Sequence, residues 1–482
     1  MRFLLQCKEV DILSKEISHI LDTVLERVRP TLDEREKVRM IIEKITRVAK
    51  EVSSEFGIHF EARVLGSIAK DTWISGDKDI DFFILFPKKI PVQELKEQGL
   101  MIAKKIAEKM HGTYKEKYAE HPYIEAHISG YTIDIVPAYL IKYGERPITA
   151  TDRTTLHTIY INNKLSSEQK DQVRILKQFM KGIEVYGAEI KVGGFSGYLC
   201  ELLIAFYGSF LDVLKASRFW RPWRTVIDIE EYYDTRDYRR ILKKFASPLV
   251  VIDPVDKNRN VAAAVSIKSF SIFKFASKRF LAFPSLKFFF PPEERPLSRA
   301  EYLSKIAKRG TCILGLRLQI TPISPDILWG QIFRTLKSLK KFLERRGFRV
   351  ISEGAWSDEE SEVIFLVEVD KEKLIPLEKH MGPPVGSEEE DNFIRKYLEN
   401  TRVLSGPVIE NRRWYVYRLR ERVEVEEIIR SHINEISFGK DLSKHISSLT
   451  FGKNEEVFDF SLKNSYRKYL RKWLDKKYSW MT

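Results

Sequence analysis

Three aspartates carry the most chemistry in this chain. Asp79 and Asp81 open the apolar run DIDFFILFP, and Asp134 interrupts the apolar run YTIDIVPAY fifty-three residues after Asp81. On a strand, residues two apart project from one face, so Asp79 and Asp81 should lie side by side. Carboxylates that close repel one another unless a cation sits between them. Hard oxygens in that arrangement suit Mg²⁺, which keeps some of its water and bridges to substrate phosphates; Mn²⁺ is the other candidate. Two-metal phosphoryl transfer needs a further carboxylate, usually from a neighbouring strand. Asp134 fits that need, because an acid in an apolar strand is costly unless a metal or a partner compensates it. Ahead of the pair stands Gly66-Ser67, a turn whose backbone N–H groups and Ser67 hydroxyl could hold a phosphate. Each piece alone is weak. A Gly-Ser turn is common, DKDID is more often a solvated strand end, and a lone aspartate can bond to backbone. The combination is specific: Gly-Ser, then Asp-x-Asp at 12 and 14 residues beyond the serine, then an aspartate on a later β-run.

The elements that must position these residues follow from periodicity. Residues 8–55 read as helices, with Val38, Ile41, Ile42, Ile45 and Val48 at helical spacing. HFEARVLG, DIDFFILFP and YIEAHISGYTIDIVPAY read as strands, so residues 1–150 form one α/β unit with helices packed on a mixed sheet. Residues 151–262 read as helical. SSEQKDQVRILKQFMKG carries a Ser-x-x-Gln capping box, and GFSGYLCELLIAFYGSFLDVLKA reads as one long buried helix. Its GGFSGY start could cradle a phosphate, with a helix cap the simpler reading. Over 311–421 the order β-α-β-β-α-β suggests a ferredoxin-like unit, with GPPVG as a loop inside it. The remaining residues return to helix.

Composition narrows the partners. The chain has 482 residues, enough for several domains, and carries 82 basic against 68 acidic residues, a net charge of +14. That excess points to a polyanion, with nucleic acid favoured over a membrane surface. A Lys/Glu-rich thermophile surface is the bland alternative. Cys7, Cys200 and Cys312 are an odd set without a CxxC pair, which argues against a disulfide framework and a zinc site. No signal peptide and no run near the ~20 apolar residues of a membrane span is visible, so a cytoplasmic location and no membrane partner are expected.

The Gly-Ser, Asp-x-Asp and distant Asp constellation resembles the nucleotidyltransferase signature of the polymerase-β-like superfamily. With IDIVPAY (133–139), TDRTTLH (151–157), LKQFMKGIEVYGAEIKVGGFSGYLCELLI (176–204), VIDPVDKNRNVAAAVS (251–266) and HMGPPVG (380–386), most of the chain is similar to the archaeal, class I CCA-adding enzymes. The resemblance implies a multidomain α/β and α+β fold. Its parts would be a polymerase-β-like nucleotidyltransferase head (1–150), a nucleotide-binding helical neck (151–262), a body in two parts (263–305 and 423–482) and a ferredoxin-like, tRNA-binding tail (306–422). It implies addition and repair of the 3′-terminal CCA of tRNA from CTP and ATP, by two-metal-ion nucleotidyl transfer without a template, releasing pyrophosphate.

By the same resemblance Asp79, Asp81 and Asp134 bind metal, and Ser67 contacts the triphosphate. Lys70 stands where arginine is common, so a bidentate contact becomes a point charge. His157, Lys177 and Tyr186 match nucleotide-binding positions, and Arg259 falls where the base is read. Without the resemblance they would be a helix-terminus histidine, a solvated helix lysine and a packing tyrosine. Thr155 and Thr158 depart from the family pattern, and SRFWRPWRTVIDIEEYYDTRDYRR (217–240) is longer than usual. The tRNA acceptor–TΨC arm should meet basic helix faces: Arg334, Lys337, Lys341 and Arg345 on one helix, and the lysine- and arginine-rich segment after Ser461, whose Tyr466, Tyr469, Leu470 and Trp473 fall at core spacing. No protein partner is implied, and a homodimer stays open. A poly(A) polymerase-like tailing enzyme and a non-catalytic tRNA-binding protein on the same fold are the rivals.

Overall fold

The computed structural model describes residues 2–118, 122–142 and 144–481, with the side chains of residues 2–14 and of Tyr118 outside that description. Cys200 and Cys312 are free and buried; the Cys7 side chain lies outside the described residues. The chain divides into two compact units. One runs to Glu293 and takes back the chain from Tyr478; the other is Glu294–Lys477.

In the first unit α1 (Arg2–Val28) and α2 (Leu32–Phe56) precede a sheet of β1 (Glu61–Val64), β2 (Asp79–Phe86), β3 (Thr113–Tyr118), β4 (Pro122–Ile128) and β5 (Tyr131–Tyr139). A single turn, α3 (Gly66–Ala69), follows β1, and α4 (Val92–Lys109) follows β2. The order is β1-β2-β5-β4-β3. β2 and β5 run parallel and the other neighbours antiparallel, which is the expected mixed sheet. Strand alternation sorts β2 by face. Ile80, Phe82, Ile84 and Phe86 pack with Ile45 and Val52 of α2 and Ile102 and Ile106 of α4. Phe83 and Leu85 pack with Leu65 and Ala138 on the opposite face. Asp79 and Asp81 begin that second face, before its apolar part.

The same unit continues with α5 (Arg153–Lys164), α6 (Ser167–Gly182), α7 (Gly197–Tyr207), α8 (Phe210–Ser217), β6 (Thr225–Ile227), α9 (Tyr238–Phe245), β7 (Leu249–Asp253), β8 (Asp256–Asn260) and α10 (Ile267–Ala282). The capping box of α6 forms between Ser166 and Gln169. Three expectations change here. The long apolar helix is two helices, α7 and α8, bent by 89°, because Gly208 at φ +93° ends the first and Ser209 caps the second. Three strands interrupt the segment 151–262, forming a small sheet, β6-β7-β8. And α10, expected with the segment 263–305, packs its Phe273 and Phe280 against Phe179 of α6, with ring centroids 6.3 and 5.8 Å away; α1 contributes Val24 and Val28 to this core. Among the described residues no single helix is long and apolar enough to cross a membrane.

The second unit contains two sheets. β9 (Cys312–Gln319), β10 (Val350–Ser357), β11 (Glu362–Val369) and β15 (Thr450–Lys453) form one in the order β10-β11-β9-β15; β12 (Leu377–Pro384), β13 (Val403–Glu410) and β14 (Arg413–Leu419) form the other in the order β12-β14-β13. The helix Pro325–Arg346, closed by Gly347 at φ +99°, buries Ile332, Leu336, Leu339 and Leu343 as expected. The four strands expected over 311–421 do not share one sheet: the strand that pairs with β9 as the fourth member is β15, from beyond that range. The strand RRWYVYRLR leaves β9 to β15 and becomes the centre of the second sheet. There Val416 packs with Phe393 and Tyr397, on the helix Glu390–Leu398. Both of its neighbours contain Gly and Pro (HMGPPVG and VLSGPVIE), which mask strand periodicity. As edge strands they tolerate proline.

Candidate active site

Strand register assembles the acids. Asp81 lies opposite Asp134 across the parallel β2–β5 pair, and Asp134 lies opposite Glu125 across β5–β4. Neighbouring strands are about 4.8 Å apart, so Asp81, Asp134 and Glu125 form a row, with Asp79 two residues before Asp81. Burial pushes the Asp134 carboxyl up to about 7, and the charges of Asp81, Glu125 and Asp79 add to it. Burial likewise pushes Asp81 up to about 6, with Lys70 pulling the other way. Asp79 is raised by burial and then by Asp77. The Oδ1 of Asp134 is buried without a hydrogen-bond partner among the described residues. Glu125 was not singled out from sequence. It ion-pairs with Lys117 at 3.3 Å and faces His127 at 3.8 Å.

Gly66 is explained by contact. Its φ is +67°, and a Cβ there would stand 1.8 Å from Asp81 Oδ2. Any side chain would push the carboxylate aside. The Leu65 N–H donates to the Asp81 carbonyl at 2.9 Å, fixing the turn to β2. Ser67 is half-buried beside it. Among the described residues no three His, Cys, Asp or Glu side chains converge into a ready-made metal cage. The donor set nonetheless fits a hard divalent cation: carboxylates in a half-buried row, an orphaned oxygen and a glycine-lined approach, with the remaining ligands expected from water and phosphate.

Behind the row lies a closed ionic cluster. Lys70 Nζ stands 2.6 Å from Glu201 Oε2. Lys177 Nζ donates to the Thr72 carbonyl at 2.9 Å and lies 3.4 Å from Glu201 Oε1. The Thr72 hydroxyl also donates to Glu201. Burial alone would raise the Glu201 carboxyl, but Lys70 and Lys177 hold it below the usual range. Burial lowers the Lys177 ammonium, opposed by Glu201. Lys70 and Lys177 are therefore buried rather than solvated, and Glu201, in the otherwise apolar α7, is the partner that sequence reasoning missed. Tyr186 closes the same wall. Its hydroxyl would meet a Cβ on Gly197 at 3.0 Å, and Lys181, which pairs with Asp77 at 2.8 Å, lies 5.4 Å from its ring centroid. In GGFSGY, Ser196 caps α7 by accepting from the Leu199 N–H at 3.1 Å.

A second hub gathers His157 and Arg259. Asp253 Oδ2 lies 2.9 Å from His157 Nε2 and accepts from Arg259 at 2.8 Å, while Oδ1 accepts from the Tyr198 hydroxyl at 3.2 Å and the Val255 N–H at 3.1 Å. Burial alone would raise Asp253, but His157 and Arg259 hold it low, so His157 donates through Nε2–H. Burial keeps His157 below its ordinary value against the pull of Asp253. The His157 ring stacks on Tyr198 with centroids 3.8 Å apart, and Lys70 Nζ lies 5.5 Å from the Tyr198 centroid. The three groups are thus linked, and Asp253 and Tyr198 join them from outside the expected set.

A mixed sheet that carries such an acid row beside a glycine turn has the makings of a nucleotidyl-transfer site. The chain matches the nucleotidyltransferase domain family over residues 45–157, the tRNA nucleotidyltransferase second-domain family over 171–290 and the CCA-adding enzyme C-terminal domain family over 309–450. It is 39% identical to the CCA-adding enzyme of Pyrobaculum islandicum, over 87% of this chain and 94% of that protein. It is 38% identical to that of Methanothermobacter thermautotrophicus, over 89% of each, and 36% identical to that of Sulfolobus acidocaldarius, over 95% of this chain and 99% of that protein. A solved cytoplasmic RNA terminal U-transferase covers 56% of this chain and 95% of its own at a TM-score of 0.44 and 15% identity, too loose a likeness to carry an argument. The chain belongs to the CCA-adding enzyme family.

Proposed function

We propose that this enzyme completes and repairs the 3′-terminal CCA of tRNA, drawing on CTP and ATP and releasing pyrophosphate, with Asp79, Asp81 and Asp134 as its catalytic carboxylates. The observation that carries the reading is the register of Asp81 with Asp134 beside the Gly66 approach. Two divalent cations, Mg²⁺ or Mn²⁺, held by these three carboxylates would neutralise triphosphate charge and make the attacking hydroxyl more acidic. The Ser67 hydroxyl and the turn amides bind phosphate oxygens. Asp134 Oδ1, which has no hydrogen-bond partner among the described residues, orients the terminal 3′-hydroxyl; as the hydroxyl oxygen bonds to the α-phosphorus, its proton passes to the Asp134 carboxylate and the bond to pyrophosphate breaks. Lys70 and Lys177 add positive potential from behind Asp81, with Glu201 holding them. Tyr186 and His157 wall the pocket, and Arg259, oriented by Asp253, reaches the base.

For the tRNA backbone we favour the helix Pro325–Arg346. Its Arg334, Lys337, Lys341 and Arg345 are exposed and form no ion pair among the described residues, which suits phosphate contacts. The basic C-terminal segment is a weaker candidate. Lys463 pairs with Asp358, and Arg471 with Glu301 at 2.7 Å, so part of its charge is spent internally. The C-terminal domain match favours CCA addition over a poly(A) polymerase-like reading.

The test is to offer a tRNA lacking CCA with Mg²⁺ and CTP, ATP or both. Two C residues and one A, then arrest, is the expected product. A long A tail identifies a tailing polymerase, and tRNA retention without incorporation identifies a binding module.

A further inference from the structure

The segment Arg218–Arg224 has no part in the site above, yet it is built to be touched. Between Val213 and Ile227 the chain has four basic residues, Lys215, Arg218, Arg221 and Arg224, and no acid. The three arginines are exposed, and none of their guanidinium groups has an ion pair or hydrogen bond among the described residues. Two large rings stand among them, Phe219 at 81% and Trp223 at 52% exposure, and neither stacks on another ring or cation among the described residues.

This display is held firmly. Trp220 is buried, donates through Nε1 to the Tyr207 hydroxyl at 3.1 Å and packs 5.6 Å from Phe273. Lys274 grips its carbonyl. The Arg221 N–H donates to Thr225 Oγ1 at 2.8 Å, and the Trp223 N–H donates to the Pro248 carbonyl at 3.0 Å. Trp223 sits at φ +58°, a left-handed conformation that a bulky residue adopts at an energetic cost. An anchored backbone that turns unpaired arginines and bare rings outward loses little entropy when a partner arrives.

We propose that Arg218, Phe219, Arg221, Trp223 and Arg224 form an RNA-contact surface, in which the arginines meet backbone phosphates and the two rings stack on exposed bases or riboses. Charge complementarity and interleaved aromatics select RNA. The proposal rests on the tRNA reading above, and the RNA it engages is the tRNA substrate.

The test is retention of a tRNA transcript lacking CCA by the full-length chain, across about 50 to 200 mM salt. Phe219→Ala/Trp223→Ala should weaken binding about 10-fold or more without changing the salt slope. Arg218→Ser/Arg221→Ser/Arg224→Ser should flatten that slope by about 2 to 3. Trp223→Gly should weaken binding while the melting temperature holds or rises, because glycine accepts φ +58°; a merely structural tryptophan would lose stability instead. Both multiple variants binding like the wild type, with the same slope, would overturn the surface, including the case where an acidic protein covers it. An unaltered chain that retains no tRNA would overturn the tRNA reading and this surface with it, a failure visible before any variant is made.

Discussion

The first unit buries two sets of charges that behave in opposite ways. In the Glu201 cluster each charged group has a partner: Lys70 and Lys177 converge on one carboxylate, and Thr72 caps it. In the acid row on β2, β5 and β4 compensation is partial: Glu125 pairs with Lys117 at 3.3 Å, but Asp134 Oδ1 has no hydrogen-bond partner among the described residues. Buried charge with complete pairing is scaffold, whereas buried like charge left uncompensated marks a place where a ligand completes the structure. The Asp253 hub sits between these extremes, saturated with donors but presenting a half-exposed Arg259.

The largest effect should come from the incomplete set. Asp81→Ala is expected to lower nucleotide incorporation by about 10³-fold or more while tRNA retention stays near wild type; normal turnover would remove Asp81 from the chemistry. Glu201→Ala should act on folding first. It strands two buried ammonium groups, and breaking such a pair costs about 3–5 kcal/mol, a fall in melting temperature on the order of 10 °C. An unchanged midpoint by calorimetry would show that the cluster is not scaffold. Asp253→Asn should be milder, raising KM for CTP and ATP about 10-fold through a misplaced Arg259 with a smaller change in kcat; a purely structural role would instead lower stability and leave KM alone.

These distinctions were partly legible in the residues. An acid inside an apolar run exposed Asp134, and the same rule applies to Glu201 in GYLCELLIAFY and Asp253 in LVVID. Neither stands out in the sequence, because their segments read as uniform core. The 3.6-residue pattern correctly foresaw the buried face of Pro325–Arg346. Pairing was not legible. Which strands stand beside β2, and therefore that Asp81 meets Asp134 and Asp134 meets Glu125, depends on how distant segments pack. β12 and β13 were hidden by prolines that only edge strands accommodate, and Gly208 broke a helix whose composition was mostly apolar.

The contrast between a completed and an uncompleted set of buried charges has its sharpest consequence in stability against pH. The Asp81 and Asp134 carboxyls lie at about 6 and about 7 in the folded chain, above the ordinary 3.8. A group raised on folding stabilises the fold fully below its unfolded value, and that contribution is lost as pH climbs through the folded value. Metal-free protein should therefore lose stability between about pH 4 and pH 8. Asp134→Asn removes much of that loss, since the amide never ionises. The decisive measurement is thermal melting of wild type and Asp134→Asn in chelator at both ends of this range. A variant that is inactive yet melts a few degrees higher at pH 8, with no advantage at pH 4, is expected. A variant that melts lower at pH 8 would mean that Asp134 is already satisfied within the protein and that the row is not waiting for a cation and its nucleotide.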